Sequence, residues 1–163
     1  MTHRLADFPA GEVARRRDEL LALCAQAFCG APWHEPPLGA VRTVERLLGS
    51  AAGRPDFRAV AAFGPDDELL GFTAGWTDTV LTGREPAFEL AELVVAPAHQ
   101  GLGTGRALHD ALLAALAPGS RLLMTLDVPE LTKRYERWGW SVYDRRTPGA
   151  SGRVYAVMRR EDG

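Results

Sequence analysis

Val95-Ala96-Pro97-Ala98-His99-Gln100-Gly101-Leu102-Gly103-Thr104-Gly105-Arg106 joins two different periodicities. Before it, Phe88 to Ala96 reads as a strand, with Leu90, Glu92 and Val94 on one face and Glu89, Ala91 and Leu93 on the other. After it, Ala107, Leu108, Ala111, Leu112 and Ala115 recur at helical spacing. Pro97 stops the strand, and glycines fill the junction. A strand, glycines and a helix in that order make an anion site. Glycine lets the backbone approach a ligand and adopt positive φ, and the first helical turn presents unpaired N–H groups and a partial positive charge. Arg106, in that first turn, can add a charge-assisted contact.

Reading outward, the N-terminal side begins with a helix over about Glu12 to Phe28, striped by Val13, Leu20, Leu21, Cys24, Ala27 and Phe28. Gly30 and Pro32 end it, and Trp33-His34-Glu35-Pro36-Pro37 forms a loop. A second helix carries Val41, Val44, Leu47 and Leu48 on one face and ends at Gly49. Phe57 to Phe63 and Leu69 to Thr79 read as strands around the turn Gly64-Pro65-Asp66-Asp67. With the strand from Phe88 they make an antiparallel meander. On the C-terminal side, Arg121 to Val128 is a strand dense enough in Leu and Met to be buried on both faces. A short helix from Glu130 to Trp138 follows, then strands near Ser141–Asp144 and Arg153–Arg159. The expectation is one α/β (α+β) domain over residues 1–163: a mixed, mostly antiparallel sheet flanked by helices, with a single parallel crossover through the glycine loop.

Composition narrows the function classes. A net charge of -2 over 163 residues lacks the basic footprint of a nucleic-acid binder, and Arg15-Arg16-Arg17, flanked by acids, reads as a solvated helix face. No apolar run reaches the length of a membrane span. Cys24 and Cys29 lack the spacing of a disulfide framework or a zinc site, and the four histidines are scattered, so no metal is expected. His99 and His109 read as surface residues beside the loop. The absence of targeting signals points to a cytoplasmic protein.

Three phosphate-binding patterns compete for the loop. A Walker A loop requires a lysine that is not there. A dinucleotide fingerprint requires a third glycine where Arg106 or Leu108 stands, although Asp127 lies where that fold places its ribose-binding acid. The third pattern, Gln/Arg-x-x-Gly-x-Gly/Ala, is met by Gln100, Gly103 and Gly105. In this the stretch resembles the acetyl-CoA signature of the GNAT superfamily of N-acetyltransferases. Tyr135-Glu136-Arg137-Trp138-Gly139-Trp140 resembles that family's Tyr-Glu-Lys-Leu-Gly-Phe segment, one strand and one helix further on. Val128 departs from the pattern at a position where members often carry Asn.

The resemblance implies acetyl-CoA as donor, bound by Gln100, Gly101, Leu102, Gly103, Thr104, Gly105 and Arg106, with Leu93, Val94 and Val95 lining its pantetheine arm. It implies Tyr135 as the proton donor to the departing thiolate. It also implies an acceptor site near Trp33, His34 and Glu35, with Trp76 a similar candidate. The acceptor is then a primary amine of a small molecule or peptide. The alternative is a GNAT-fold module that binds acyl-CoA without transfer. Homodimerisation is common in the family. Alternation within the strand selects Glu92 as general base, because a carboxylate among apolar neighbours holds its proton more tightly. A solvated or salt-bridged strand carboxylate, with water relaying the proton, is the competing reading. Cys24 and Cys29 have no adjacent base and are expected to be structural.

Overall fold

The computed structural model describes residues 3–163. Its seven strands form a mixed, mostly antiparallel sheet flanked by helices, with one parallel pair. The chain organises into two compact units, each discontinuous in sequence. The first contains the chain up to Trp76 together with Glu92–Leu116, and the second contains Thr77–Ala91 and Ala117–Gly163.

In the first unit, β1 (Arg4–Asp7) pairs antiparallel with β2 (Arg58–Phe63), which pairs antiparallel with β3 (Leu69–Asp78). β4 (Ala87–Val95) is divided between the units, and its C-terminal half lies here. Three helices precede β2: α1 (Ala10–Arg15), α2 (Arg17–Cys29) and α3 (Pro37–Gly53). A single 3-10 turn, Pro97–His99, follows β4 and leads to α4 (Thr104–Ala114). The core draws Leu20, Leu23 and Cys24 from α2, Val44 and Leu47 from α3, and Leu108 and Leu112 from α4. Each fully buried leucine contributes roughly 1.5–3 kcal/mol.

Several expectations change here. β1 has no signature in the sequence: four residues with charged ends, half-exposed at an edge, do not alternate clearly. The first helix is two helices broken at Arg16. The break lets Arg16 leave the solvated face and reach the β2–β3 turn, where it donates to the Asp67 carboxylate at 2.7 Å and carbonyl at 3.1 Å. Its guanidinium also lies 4.5 Å from the Phe63 ring centre, so its side chain is only 13% exposed. α3 runs past Gly49 to Gly53, because a solvent-facing glycine weakens a helix by too little to end it. His109 is fully buried rather than superficial, with Nδ1 2.8 Å from Asp110 Oδ1.

Gly71 on β3 lies under the end of β4. A Cβ there would sit 2.7 Å from the Val94 carbonyl oxygen and 3.3 Å from Leu108. Only glycine allows β3, β4 and α4 to approach this closely, which sets the position of the loop between β4 and α4.

In the second unit, the N-terminal half of β4 pairs parallel with β5 (Gly119–Leu126), in the register Phe88 to Arg121. β5 pairs antiparallel with β7 (Tyr155–Asp162), and β7 with β6 (Ser141–Arg146). α5 (Pro129–Arg137) connects β5 to β6. β5 is buried on both faces as its composition requires, with Leu122, Leu123 and Leu126 covered. Leu81, Leu122 and Val157 form a core cluster.

Candidate functional site

The loop after β4 is built to leave backbone donors open. Gln100 closes it: its side-chain Nε2 donates to the Val95 carbonyl at 3.0 Å, and its N–H donates to Pro97. Gly101 and Gly103 then take left-handed backbone conformations, φ 75° and 88°, that cost an ordinary residue about 1–2 kcal/mol. Gly103 caps α4 with no side-chain hydrogen bond, and the first helical bond is from Ala107 N–H to the Gly103 carbonyl. Among the described residues, the N–H groups of Gly101, Leu102, Gly103, Thr104 and Gly105 donate to no protein acceptor. The Thr104 hydroxyl is buried without a hydrogen-bond partner. A buried hydroxyl left without a partner is costly unless a ligand completes it, and open N–H groups at a helix N-terminus are donors that a phosphate can take. Gln100 spends its polar groups on the loop, and Leu102 is exposed. Arg106 is held by Asp110, Nε lying 3.2 Å from each carboxylate oxygen.

The strand before the loop keeps its alternation without interruption. Phe88, Leu90, Glu92 and Val94 are buried, while Glu89, Ala91, Leu93 and Val95 are half-exposed. Glu92 is therefore a carboxylate inside an apolar face, its side chain 7% exposed. Arg46 of α3 donates to Glu92 Oε1. Thr73 Oγ1 of β3 donates to the Glu92 backbone carbonyl at 2.8 Å. Burial pushes the Glu92 carboxyl up. Arg46 opposes this and Glu35 adds to it, and the net displacement is upward. Glu92 is buried on the face that strand alternation assigns it, and it is salt-bridged to Arg46.

Glu35, Cys24 and Glu92 form one electrostatic neighbourhood in the first unit. Burial, reinforced by Glu92 and then Glu35, pushes the Cys24 thiol up to about 12, which keeps it a protonated thiol. The Glu35 carboxylate rests on the first turn of α3, where a Cβ on Gly39 would come within 2.7 Å of it. Trp33 packs edge-on to Phe28 at 5.5 Å, and His34 is exposed with φ 48°. The loop folds back on α2 through His34 N–H to the Gly30 carbonyl and Glu35 N–H to Phe28, both at 2.8 Å. Trp76 is 3% exposed and stacked on Phe57, with Arg54 over its ring, which gives it a packing role.

In the second unit, Tyr135 sits in the last turn of α5. Its ring meets Trp138 at 5.5 Å and Trp140 at 6.3 Å, both edge-on, and is 9% exposed. The chain turns back at Gly139, φ 95°, with Trp138 and Trp140 N–H groups donating to the Tyr135 carbonyl. Asp127 holds Arg145 at 2.9 Å.

Arg46 is the site residue that sequence reading misses. An arginine beside a helix's apolar stripe reads as solvated, and its side chain is indeed 59% exposed. The available signal was indirect, since a carboxylate placed among apolar residues requires a cation. Among the described residues, no group of three or more His, Cys, Asp and Glu could hold a metal ion. No helix among them is long and apolar enough to cross a membrane.

Comparison with known proteins agrees with this geometry. No curated protein matches the chain. Among solved structures, it is similar to the histone acetyltransferase HPA2 and related acetyltransferase of Corynebacterium glutamicum (14% identity, 100% and 98% of the two chains covered, TM-score 0.74). It is also similar to the PaiA N-acetyltransferase of Thermoplasma acidophilum in complex with coenzyme A (16%, 99% and 99%, 0.69). An acetyltransferase from Thermus thermophilus is comparable (18%, 99% and 97%, 0.65). At these identities the structures establish the shared fold. The model of the acetyltransferase (GNAT) family matches residues 18–140, which sets aside the nicotinamide reading, and the chain belongs to that family.

Proposed function

We propose that the protein moves an acetyl group from acetyl-CoA to a primary amine of a small molecule or peptide, by direct attack within a ternary complex. The observation that carries this is the run of five unpartnered N–H groups from Gly101 to Gly105 beside the orphaned Thr104 hydroxyl. That donor set fits the pyrophosphate of acetyl-CoA, which supplies the acetyl group as an activated thioester. The coenzyme A held by the Thermoplasma acidophilum relative supports the same donor. The residues that would hold it are Gly101, Leu102, Gly103, Thr104 and Gly105. Arg106 adds charge, Gln100 keeps the loop closed, and Leu93, Val94 and Val95 lie along the pantetheine arm. The family model runs through parts of both units, which supports a single working domain.

The acceptor must lose a proton before it attacks. A free amine with a pKa near ~10.4 is almost wholly protonated at neutral pH, a deficit of about 4–5 kcal/mol. Glu92 is the base in this reading, because it is a carboxylate whose burial raises its proton affinity. Tyr135 is the acid, since a phenol can protonate a leaving thiolate. Trp33, His34 and Glu35 contact the acceptor. Trp76 is left out because its faces are covered.

Calorimetric titration with acetyl-CoA, with NAD as control, tests the donor. The reading requires micromolar binding of acetyl-CoA and none of NAD, and absence of acetyl-CoA binding at millimolar ligand would sink it. Thiol release with a panel of amines then reads turnover. Tyr135→Phe turning over like the wild type would remove the acid role, and no release with any amine would favour binding without transfer.

A further inference from the structure

Glu92 is held asymmetrically. Its side chain is 7% exposed, yet the cation that meets it belongs to a side chain 59% exposed, reaching in from α3. Arg46 takes Oε1, and among the described residues Oε2 accepts no hydrogen bond. The backbone is pinned from the other side by Thr73 of β3. α3 carries the arrangement on one stripe: Gly39, Thr43 and Arg46 lie four and three residues apart, on the same face. Gly39 makes room for the Glu35 carboxylate, Thr43 is buried, and Arg46 reaches Glu92. The charged and titratable groups around Glu92 are thus Arg46 from α3, Glu35 from the α2–α3 loop and Cys24 from α2, which is neutral.

We infer that Arg46 is a positioning residue that fixes the Glu92 carboxylate as the proton acceptor. The inference rests on the reading of Glu92 as the base. A buried carboxylate left alone takes up a proton and can no longer accept one, and a second carboxylate nearby strengthens that tendency. One guanidinium favours the ionised form. Because that guanidinium is largely solvated, its attraction is screened, and burial outweighs it. A base poised in this way accepts a proton from an ammonium and can give it up again. The acceptor amine approaches opposite Oε2, since Oε1 is occupied.

The test needs no acceptor. Protein labelled with 13Cδ-glutamate is titrated by NMR, the Glu92 signal being assigned by its loss in Glu92→Gln. Arg46→Ala raises the Glu92 midpoint by more than about one pH unit, the size expected for removal of an adjacent opposite charge. Arg46→Lys restores most of the wild-type value. Glu35→Gln moves the midpoint down. Opposite signs from two neighbouring substitutions are not produced by general loosening of the fold. If Arg46→Ala does not fold, Arg46→Met preserves the stem and removes the charge, with the same expected rise. A Glu92 midpoint unmoved by loss of Arg46, or moved the same way by both substitutions, overturns the inference. Thiol release by Glu92→Gln at the wild-type rate overturns the base reading instead, whatever the midpoints do, so the two can fail separately.

Discussion

Gly71→Ala places one methyl group where β3 meets the end of β4. The new Cβ lies 2.7 Å from the Val94 carbonyl oxygen, 0.7 Å inside the 3.4 Å at which ordinary contact begins, and 3.3 Å from both Leu108 Cδ1 and Val95 Cα. The Val94 oxygen is backbone and cannot rotate away. β4 is tied to β3 on either side of it, by Thr73 Oγ1 to the Glu92 carbonyl and by Ala96 N–H to the Leu70 carbonyl, both at 2.8 Å. The strand must therefore move as a unit or the sheet must open. Overpacking of this kind costs about 1–3 kcal/mol, which for a chain of this length lowers the melting temperature by roughly 2–12 °C. The displaced segment, Val94–Val95, is the one proposed to line the acyl donor, so acetyl-CoA affinity should fall along with stability. Gly49→Ala is the control. It is an exposed α3 residue with nothing within 4 Å of its would-be Cβ, and there alanine should stabilise by about 0.5–1 kcal/mol through helix propensity. Differential scanning calorimetry and acetyl-CoA titration of both variants read the outcome. A Gly71→Ala protein that melts with the wild type and binds acetyl-CoA equally well would refute the claim that close approach at this glycine sets the loop.

Two further outcomes follow from titratable groups. Burial raises the Glu92 carboxyl in the folded state, so its stabilising contribution is complete below the unfolded value near ~4.3 and is lost as pH rises through the folded value. Glu92→Gln should accordingly melt above the wild type at pH ~8 and converge with it near pH ~4, while a constant offset across that range would contradict the burial argument. Cys24 is buried with its thiol pushed up to about 12 and Cys29 is exposed, so an aromatic disulfide reagent should titrate one thiol in the native protein and two after denaturation. Two fast thiols in the native state would place Cys24 outside the core.

Much of the fold was legible because it is written in local periodicity. The period-2 pattern of Phe88–Val95 placed Glu92 on the buried face, and the burial of β4 alternates residue by residue as read. β5 carried its burial on both faces in its composition. The glycine loop between strand and helix was legible because Gly101 and Gly103 occupy backbone conformations that few other residues adopt. Where the sequence misled, the deciding interaction was distant. Arg16 reads as one of three solvated arginines until Asp67, 51 positions away, is brought to it. β1 exists because β2 offers it a partner, with Arg4 opposite Phe63. His109 looks superficial beside polar neighbours, yet the helical turn rotates it inward.

The candidate site divides along the same line. By itself the sequence determined where glycines join the strand to the helix, which carboxylate faces the apolar side of its strand, and which tyrosine lies in the last turn of α5, since strand parity, glycine and helix ends are local properties. Only the tertiary structure decided that Glu92 meets Arg46, that Glu35 and Cys24 share its electrostatic surroundings, and that Trp76 is covered by Phe57 and Arg54. Charge interactions act through space over several ångströms, without regard to separation along the chain. Arg46 and Glu92 are 46 residues apart, and no pattern within either segment records that they meet.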